Sequence, residues 1–309
     1  MYIPRSNFQK LLKIFYKCYI ILFKLIHVQV VIILKFRHFV DTHSHTIRSF
    51  DGMYRVEELL DSAIEKGLEA VAITDHVEMD WFFGHPRKYN ETAYNSYSDA
   101  MKAKEKYEGK IEVLAGIELG EPCYNLKETE KLLYIHDYDM VIGSLHNLKN
   151  WDDFSQINYA EGGFDIYEML REYYRSMTEM AEWGGFDTLA HIVYPMRYLV
   201  GKYGIYVDKS KIKNEVDELL KTLAEKELAL EINTSGLRQT IGTTMPDVDM
   251  IKRFKELGGK HVTVGSDSHT TKDMGAGVEQ GFEIAKECGF DHVLIFRKRQ
   301  PLEIPLELK

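Results

Sequence analysis

The chain is poor in cysteine and proline, and no acidic side chain occurs before Asp41. Its three cysteines, Cys18, Cys123 and Cys288, are scattered and form no C-x-x-C pair. That pattern excludes a disulfide framework and a zinc–thiolate site, and fits ordinary thiols in a reducing compartment. No phosphate-binding P-loop, dinucleotide-binding glycine fingerprint or G-x-S-x-G elbow is present, which removes nucleotide-driven and serine-hydrolase chemistry. With a net charge of −9 over 309 residues, a long nucleic acid is not expected as the main partner.

The charge is unevenly spread. Seven basic residues and no acidic one precede Asp41, so the remainder has 32 basic against 48 acidic residues. Residues 1–37 are dominated by Ile, Leu, Phe, Tyr and Lys. Projected as a helix, Lys10, Lys13, Lys17 and Lys24 fall in one narrow wedge, as in a basic amphipathic helix lying on an anionic membrane surface. Lys24, His27 and Gln29 interrupt the apolar stretch and argue against a spanning helix. The segment also lacks the small-residue cleavage site of a signal peptide. Two other readings stand beside this one: upstream sequence with no role in the fold, or a packed accessory helix. The expectation is an N-terminal extension over 1–37 and one domain over 38–309. A cytoplasmic protein is expected, with membrane contact only through the extension.

From His38 onward, strand-like and helical stretches alternate. The strands are expected near 38–42, 69–74, 111–117, 139–143, 187–190, 228–233 and 261–265. The helices are expected near 55–66, 97–108, 127–134, 166–183, 210–226, 247–257 and 278–288. Such alternation implies a parallel sheet with right-handed crossovers, and seven units favour a closed barrel over an open sheet. The run 292–296 is a candidate closing or edge strand. Longer aromatic connections at 77–96, 147–165 and 192–208 are placed to wall the barrel mouth.

What the chain does have is a histidine at one strand end after another. The runs end in Asp41-Thr-His-Ser-His45, Thr74-Asp-His76, Gly143-Ser-Leu-His146, Ala190-His191 and Ser266-Asp-Ser-His269, with Glu118 closing a further strand. Parallel α/β folds carry their chemistry at these carboxyl ends. His43 and His45 leave an extended strand on one face and can reach one cation. Asp41 shares that face, as a ligand or as a group that orients one. Asp51 is a ligand or a plain Asp-Gly turn residue. Glu121 rivals Glu118, although Pro122 suggests a turn there. Singly, His146, His191 or His269 reads as a structural histidine. Counted with Asp51, Glu118 and Asp267, they bring the set to nine nitrogen or oxygen donors, too many for one four-coordinate zinc. The set suits two or three divalent ions, Zn, Mn or Fe. The remaining histidines read as structural, with His85 able to enter the pocket from its loop.

Clustered divalent ions activate a shared water and clamp phosphate oxygens, so such a site hydrolyses phosphoesters. A phosphate also needs a cation outside the cluster. Arg197 and Arg238 both follow strand ends and are candidates for it.

The motifs Asp41-x-His-x-His45, Ile73-Thr-Asp-His76, Gly116-x-Glu118, Gly143-Ser-x-His146, Ala190-His191 and Gly265-Ser-Asp-x-His269 resemble, in this order, the polymerase and histidinol phosphatase (PHP) superfamily. Leu230-Glu-Ile-Asn-Thr-Ser-Gly-Leu-Arg238 and the aromatic stretch ending in Arg197-Tyr198 are most similar to its monofunctional histidinol-phosphate phosphatases. The resemblance spans roughly 38–296. It implies a distorted (β/α)7 barrel, TIM-like, with a trinuclear metal centre and hydrolysis of L-histidinol phosphate in histidine biosynthesis. The ligands it implies are His43, His45, Asp51, His76, Glu118, His146, His191, Asp267 and His269. Asp267 and Arg197 are expected to act in catalysis, and Arg197 and Arg238 to contact the substrate. Val193 departs from the pattern, standing where relatives often carry an acid. The alternatives are a phosphoesterase of the same superfamily acting on nucleotides, short oligonucleotides or phosphotyrosine, an amidohydrolase-type barrel, and a non-catalytic metal-binding barrel.

Overall fold

The structure, a computed structural model, describes residues 35–79 and 89–309. The basic leader up to residue 34, with His27, and His85 of the first mouth loop lie outside the described residues.

Seven parallel strands form the barrel wall in chain order: β1 (Val40–Asp41), β2 (Ala70–Ile73), β4 (Glu112–Gly120), β5 (Met140–Ser144), β6 (Thr188–Leu189), β7 (Ala229–Asn233) and β8 (Val262–Gly265). A short strand between them in sequence, β3 (His76–Glu78), pairs in parallel with the outer end of β4. Neighbours keep a simple register, such as Val71 against Val113 and Ile232 against Val264. β2, β5, β7 and β8 are buried at every position. Parallel strands covered on both faces read as continuous apolar runs, so the sequence pattern locates them. The ring closes just past β1 and β8. Thr42 N donates to Val264 O at 3.1 Å, Asp267 N to His43 O at 2.9 Å and His45 N to Ser268 O at 2.8 Å.

Helices pack outside this wall: α1 (Val56–Glu65), α2 (Tyr89–Lys106), α3 (Leu126–Ile135), α4 (Ile166–Trp183), α5 (Lys213–Glu225), α6 (Val248–Glu256) and α7 (Val278–Glu287). Each lies where the sequence places one. α1 shows why: Val56, Leu59, Leu60 and Ala63 are buried at i, i+3, i+4 and i+7, one face of a helix. Asp165 accepts from Tyr167 N and Glu168 N to cap α4, and Asp247 accepts from Met250 N to cap α6. Gly258, at φ 100°, turns the chain after α6 in a conformation that side chains resist.

Three features differ from the sequence reading. α2 begins eight residues earlier than 97, because it buries Ala93, Ser96, Ala100 and Ala103, small residues that leave little hydrophobic signal. Residues 76–78 form β3 rather than the start of a loop. The run at 292–296 belongs to neither edge of the barrel. As β9 (His292–Arg297) it pairs antiparallel with β10 (Gln300–Pro305). The turn of that hairpin closes the amino-terminal end of the barrel. Arg299 Nε donates to Asp187 Oδ2 at 2.6 Å and Lys298 N to Asp139 Oδ1 at 3.2 Å, just before β6 and β5. The structured domain reaches back past the expected boundary: Phe36 is buried against Phe282 and bridges Leu308. No helix among the described residues is long and apolar enough to cross a membrane.

Candidate metal centre

The hydrogen bonds that close the barrel lay residues 43–45 beside 266–269, at the carboxyl end of the wall. Asp41 does not enter the imidazole cluster. It accepts hydrogen bonds from His43 N, Ser266 N, Ser266 Oγ and Gly275 N, and so braces the junction. Asp75 does the same for the next turn, accepting from Thr46 N, Ser49 N and Ser96 Oγ. Ser49 Oγ then stands 3.1 Å from His45 Nδ1. Gly265 is required by close approach, since a Cβ there would fall 2.3 Å from His43 Cβ and 2.6 Å from Glu231 Oε1.

Glu118, fully buried on β4, is the hub. Its Oε2 stands 2.9 Å from His76 Nδ1, 3.2 Å from His43 Nε2 and 3.4 Å from His45 Nε2. Its Oε1 stands 2.9 Å from His191 Nε2 and 3.3 Å from His146 Nε2. Asp267 Oδ1 faces His45 Nε2 at 3.3 Å and His269 Nδ1 at 3.6 Å. Asp51, on the rim, reaches His269 Nε2 at 3.1 Å and His76 Nε2 at 3.8 Å. All nine candidate ligands are thus brought into one connected group. The donor atoms of His43, His45 and Glu118 lie within 4.8 Å of one another, as do those of His45, His76 and His269, and of His76, Glu118 and His146.

These residues fit divalent cations. Among the described residues, His45 Nε2, His76 Nδ1 and His269 Nε2 are buried without a hydrogen bond, a condition that metal coordination relieves. Burial, aided by His269 and His76, lowers the His45 pKa to about 3, which leaves the ring neutral with a free lone pair. Burial also opposes charge on His43, His76 and His146, but neighbouring carboxylates outweigh it and raise all three. Despite its burial, Glu118 is held well below the ordinary carboxylate range by His76 and His43. The carboxylates need positive charge beside them, and protons or metal ions both supply it. Backbone strain collects here too: His191 at φ 30° and Asp267 at φ 52° are left-handed non-glycine residues.

The sequence reading missed the carboxylates behind the imidazoles. Glu231 Oε1 stands 2.6 Å from His43 Nδ1, while its Oε2 accepts from His191 N and Asn233 Nδ2 at 3.1 and 3.0 Å. Glu78 Oε2 stands 3.2 Å from His146 Nδ1. Both match the carboxylate–imidazole pairs that hold a ligand ring in place. The alternation Glu231-Ile-Asn233 on a buried strand and His76-Val-Glu78 were the available signals. Glu121, the rival to Glu118, accepts from His146 N at 2.6 Å and sits behind that histidine. Burial and the adjacent Glu78 raise its pKa well above the usual value.

A cleft of about 720 Å³ opens over the cluster, lined among others by Asp51, His76, Asp267 and His269, with Arg197 and Arg238 on its wall. Arg197 lies over Tyr194 and Tyr198, 5.9 and 5.5 Å from the ring centres. Arg238 is partly engaged, donating to Asp267 O at 2.8 Å and standing 3.8 Å from Asp273. Val193 faces elsewhere, into a separate apolar pocket with Met196, Val200 and Ile212.

Comparison with known proteins adds four findings. Residues 41–235 match the PHP domain family. The chain is 30% identical over 267 residues to a probable histidinol-phosphatase of Clostridium acetobutylicum, covering 84% of this chain and 97% of that one. It is 27% identical over 267 residues to a histidinol-phosphatase of Lactococcus lactis, covering 83% and 93%. Among solved structures, the Lactococcus lactis histidinol phosphate phosphatase complexed with zinc, L-histidinol and phosphate superposes with a TM-score of 0.75. That match is 24% identical and covers 85% of this chain and 98% of the other, so it bears on the fold.

Proposed function

The chain belongs to the PHP family, and from that premise we propose that it is a metal-dependent phosphomonoesterase that hydrolyses L-histidinol phosphate to L-histidinol and inorganic phosphate. The observation that carries this reading is Glu118, set among five imidazoles at the floor of a cleft that also presents a guanidinium. The metal ligands are His43, His45, Asp51, His76, Glu118, His146, His191, Asp267 and His269. Bound divalent cations supply Lewis acidity, activating water and offsetting charge on phosphoryl oxygens.

The chain's own residues do the rest. Arg197, held by two tyrosine rings, meets the phosphate oxygens, and Arg238 on the same cleft supports it. Asp267 faces the cleft with its second oxygen fixed by Asn233 Nδ2 and Ser235 Oγ at 3.3 and 3.2 Å. Burial opposes its ionisation, but His43 and His45 hold its pKa well below the ordinary value. It is therefore ionised beside the cluster, and its place there assigns it the transfer of a proton from the attacking water to the alkoxide of histidinol as the phosphorus–oxygen bond breaks. Glu231 and Glu78 keep the His43 and His146 rings from turning. As part of the same proposal, the enzyme serves histidine biosynthesis on a cytoplasmic pool.

The test is phosphate release by metal-loaded protein from L-histidinol phosphate, a nucleoside monophosphate and phosphotyrosine side by side. The expected result is the highest kcat/KM for L-histidinol phosphate. Equal or faster turnover of either competitor would overturn the substrate assignment.

A further inference from the structure

The loop after His146 brings Asp153, Ser155 and Gln156 to the cleft wall. Other carboxylates facing this cleft are engaged. Asp51 and Asp267 lie against imidazoles, and Asp273 accepts from Thr270 Oγ1 at 3.0 Å and stands 3.8 Å from Arg238 Nε. Asp153 is different. Its Oδ1 accepts from Ser155 N at 2.6 Å and from Tyr194 OH at 3.4 Å. Its Oδ2 accepts no hydrogen bond, and no basic side chain lies within ion-pair distance, among the described residues. Arg197 is stacked on tyrosines, close enough to feel the charge of Asp153 but not paired with it.

The loop is firmly held. Phe154 is fully buried, 5.4 Å from the Tyr173 ring, and its N donates to His146 O at 3.0 Å. Asp153 is therefore fixed relative to the imidazole cluster. Tyr194 measures the gap: its ring centre lies 5.0 Å from that of His146 and 5.3 Å from that of His191, and its hydroxyl reaches Asp153. The carboxylate stands about one phenol ring away from the cluster. Tyr194 thus touches both the cluster and the carboxylate, and an ammonium group on the carbon chain of a bound ester would pass along it.

We propose that Asp153 is the subsite for the substrate's ammonium group, so that the cleft selects phosphate esters of 2-amino alcohols. The assignment rests on the phosphatase reading above. The phosphate lies at the cluster under Arg197, and the ammonium donates to the open Oδ2 with the face of Tyr194 beside it. Arg197 and Asp153, both beside Tyr194, offer opposite charges to the two opposite charges of one small molecule.

The experiment compares wild-type enzyme and Asp153→Asn on L-histidinol phosphate and on the analogue lacking the amine, 3-(imidazol-4-yl)propyl phosphate. Wild type is expected to prefer the amine by about 10- to 100-fold in kcat/KM, the range for losing a charge-assisted contact. Asp153→Asn is expected to lose that preference, mainly through KM, while its turnover of the amine-free ester is unchanged. Equal losses on both esters, or an undiminished preference, would overturn the assignment. Wild-type enzyme that did not distinguish the two esters would overturn it without any variant. Wild type that hydrolysed other phosphomonoesters but not L-histidinol phosphate would instead sink the phosphatase reading, and this subsite with it.

Discussion

The two nitrogens of His43 face two different carboxylates, Nδ1 at 2.6 Å from Glu231 and Nε2 at 3.2 Å from Glu118. Glu231 lies behind the ring and Glu118 in the cluster. The first contact fixes the rotation of the imidazole, and the second sets its other nitrogen beside Glu118, where the two would hold one cation. His146 repeats the arrangement, with Glu78 behind and Glu118 in front.

Glu231→Gln keeps the shape of that support and removes its charge. We expect metal affinity and kcat to fall about 10- to 100-fold, as for other carboxylates that orient a ligand histidine. Metal content after dialysis and steady-state kinetics check it, and unchanged metal retention would contradict the supporting role.

His76→Ala and Asp267→Asn remove proposed ligands while leaving the apolar wall intact. Phosphate release is expected to drop at least ~1,000-fold, the scale set by losing a group that acts on the transition state. Far-ultraviolet circular dichroism should stay that of the parent. Near-parental turnover in either variant would refute the ligand set.

Chelation should abolish activity and lower Tm together, because ions bound only by the folded state stabilise it by mass action. Stripping the metal leaves Glu118, Asp267 and Asp51 to be balanced by protons alone. Adding back zinc or manganese should restore both properties. Restored Tm without phosphate release would separate structural from catalytic metal.

Arg197→Ala is expected to cost about 100-fold in kcat/KM, as for loss of a charge-assisted phosphate contact. Arg238→Ala should cost less through the phosphate, since its guanidinium is already shared with Asp267 O and Asp273. Kinetics of both variants with the same phosphomonoester rank the two, and the reverse order would exchange their roles.

On the surface, Arg253 grips Asp217 with two contacts of 2.9 Å, joining α6 to α5. Hydrogen bonds from Arg253, then Lys213, lower the Asp217 pKa to about 2 from 3.8. A depressed carboxylate pKa adds stability above the unfolded value and loses it as pH falls through the folded one. Asp217→Asn should therefore destabilise at pH 7, by less than about 1 kcal/mol because the pair is solvent-screened. The gap from wild type should close between pH 4 and pH 2. Urea melts across that range test the sign, and a gap that widened toward acid would be inconsistent with it.

Strand and helix positions, and the six histidines and three carboxylates of the proposed centre, were legible in the linear chain. Buried parallel strands must be apolar throughout, so polar residues at their carboxyl ends stand out against that background. The short strand at His76–Glu78 and the early start of α2 were not legible, because three residues carry no period and small buried side chains carry little hydropathy. Nor could periodicity distinguish a closing strand from the hairpin that seals the barrel's far end. Only the tertiary structure put Glu121 behind His146, turned Asp41 and Asp75 into braces, and set Glu231 and Glu78 behind their histidines. It also set Asp153 on the cleft wall beside Tyr194. Those outcomes depend on distances between strands far apart in sequence, and register across a closed sheet is what sets them.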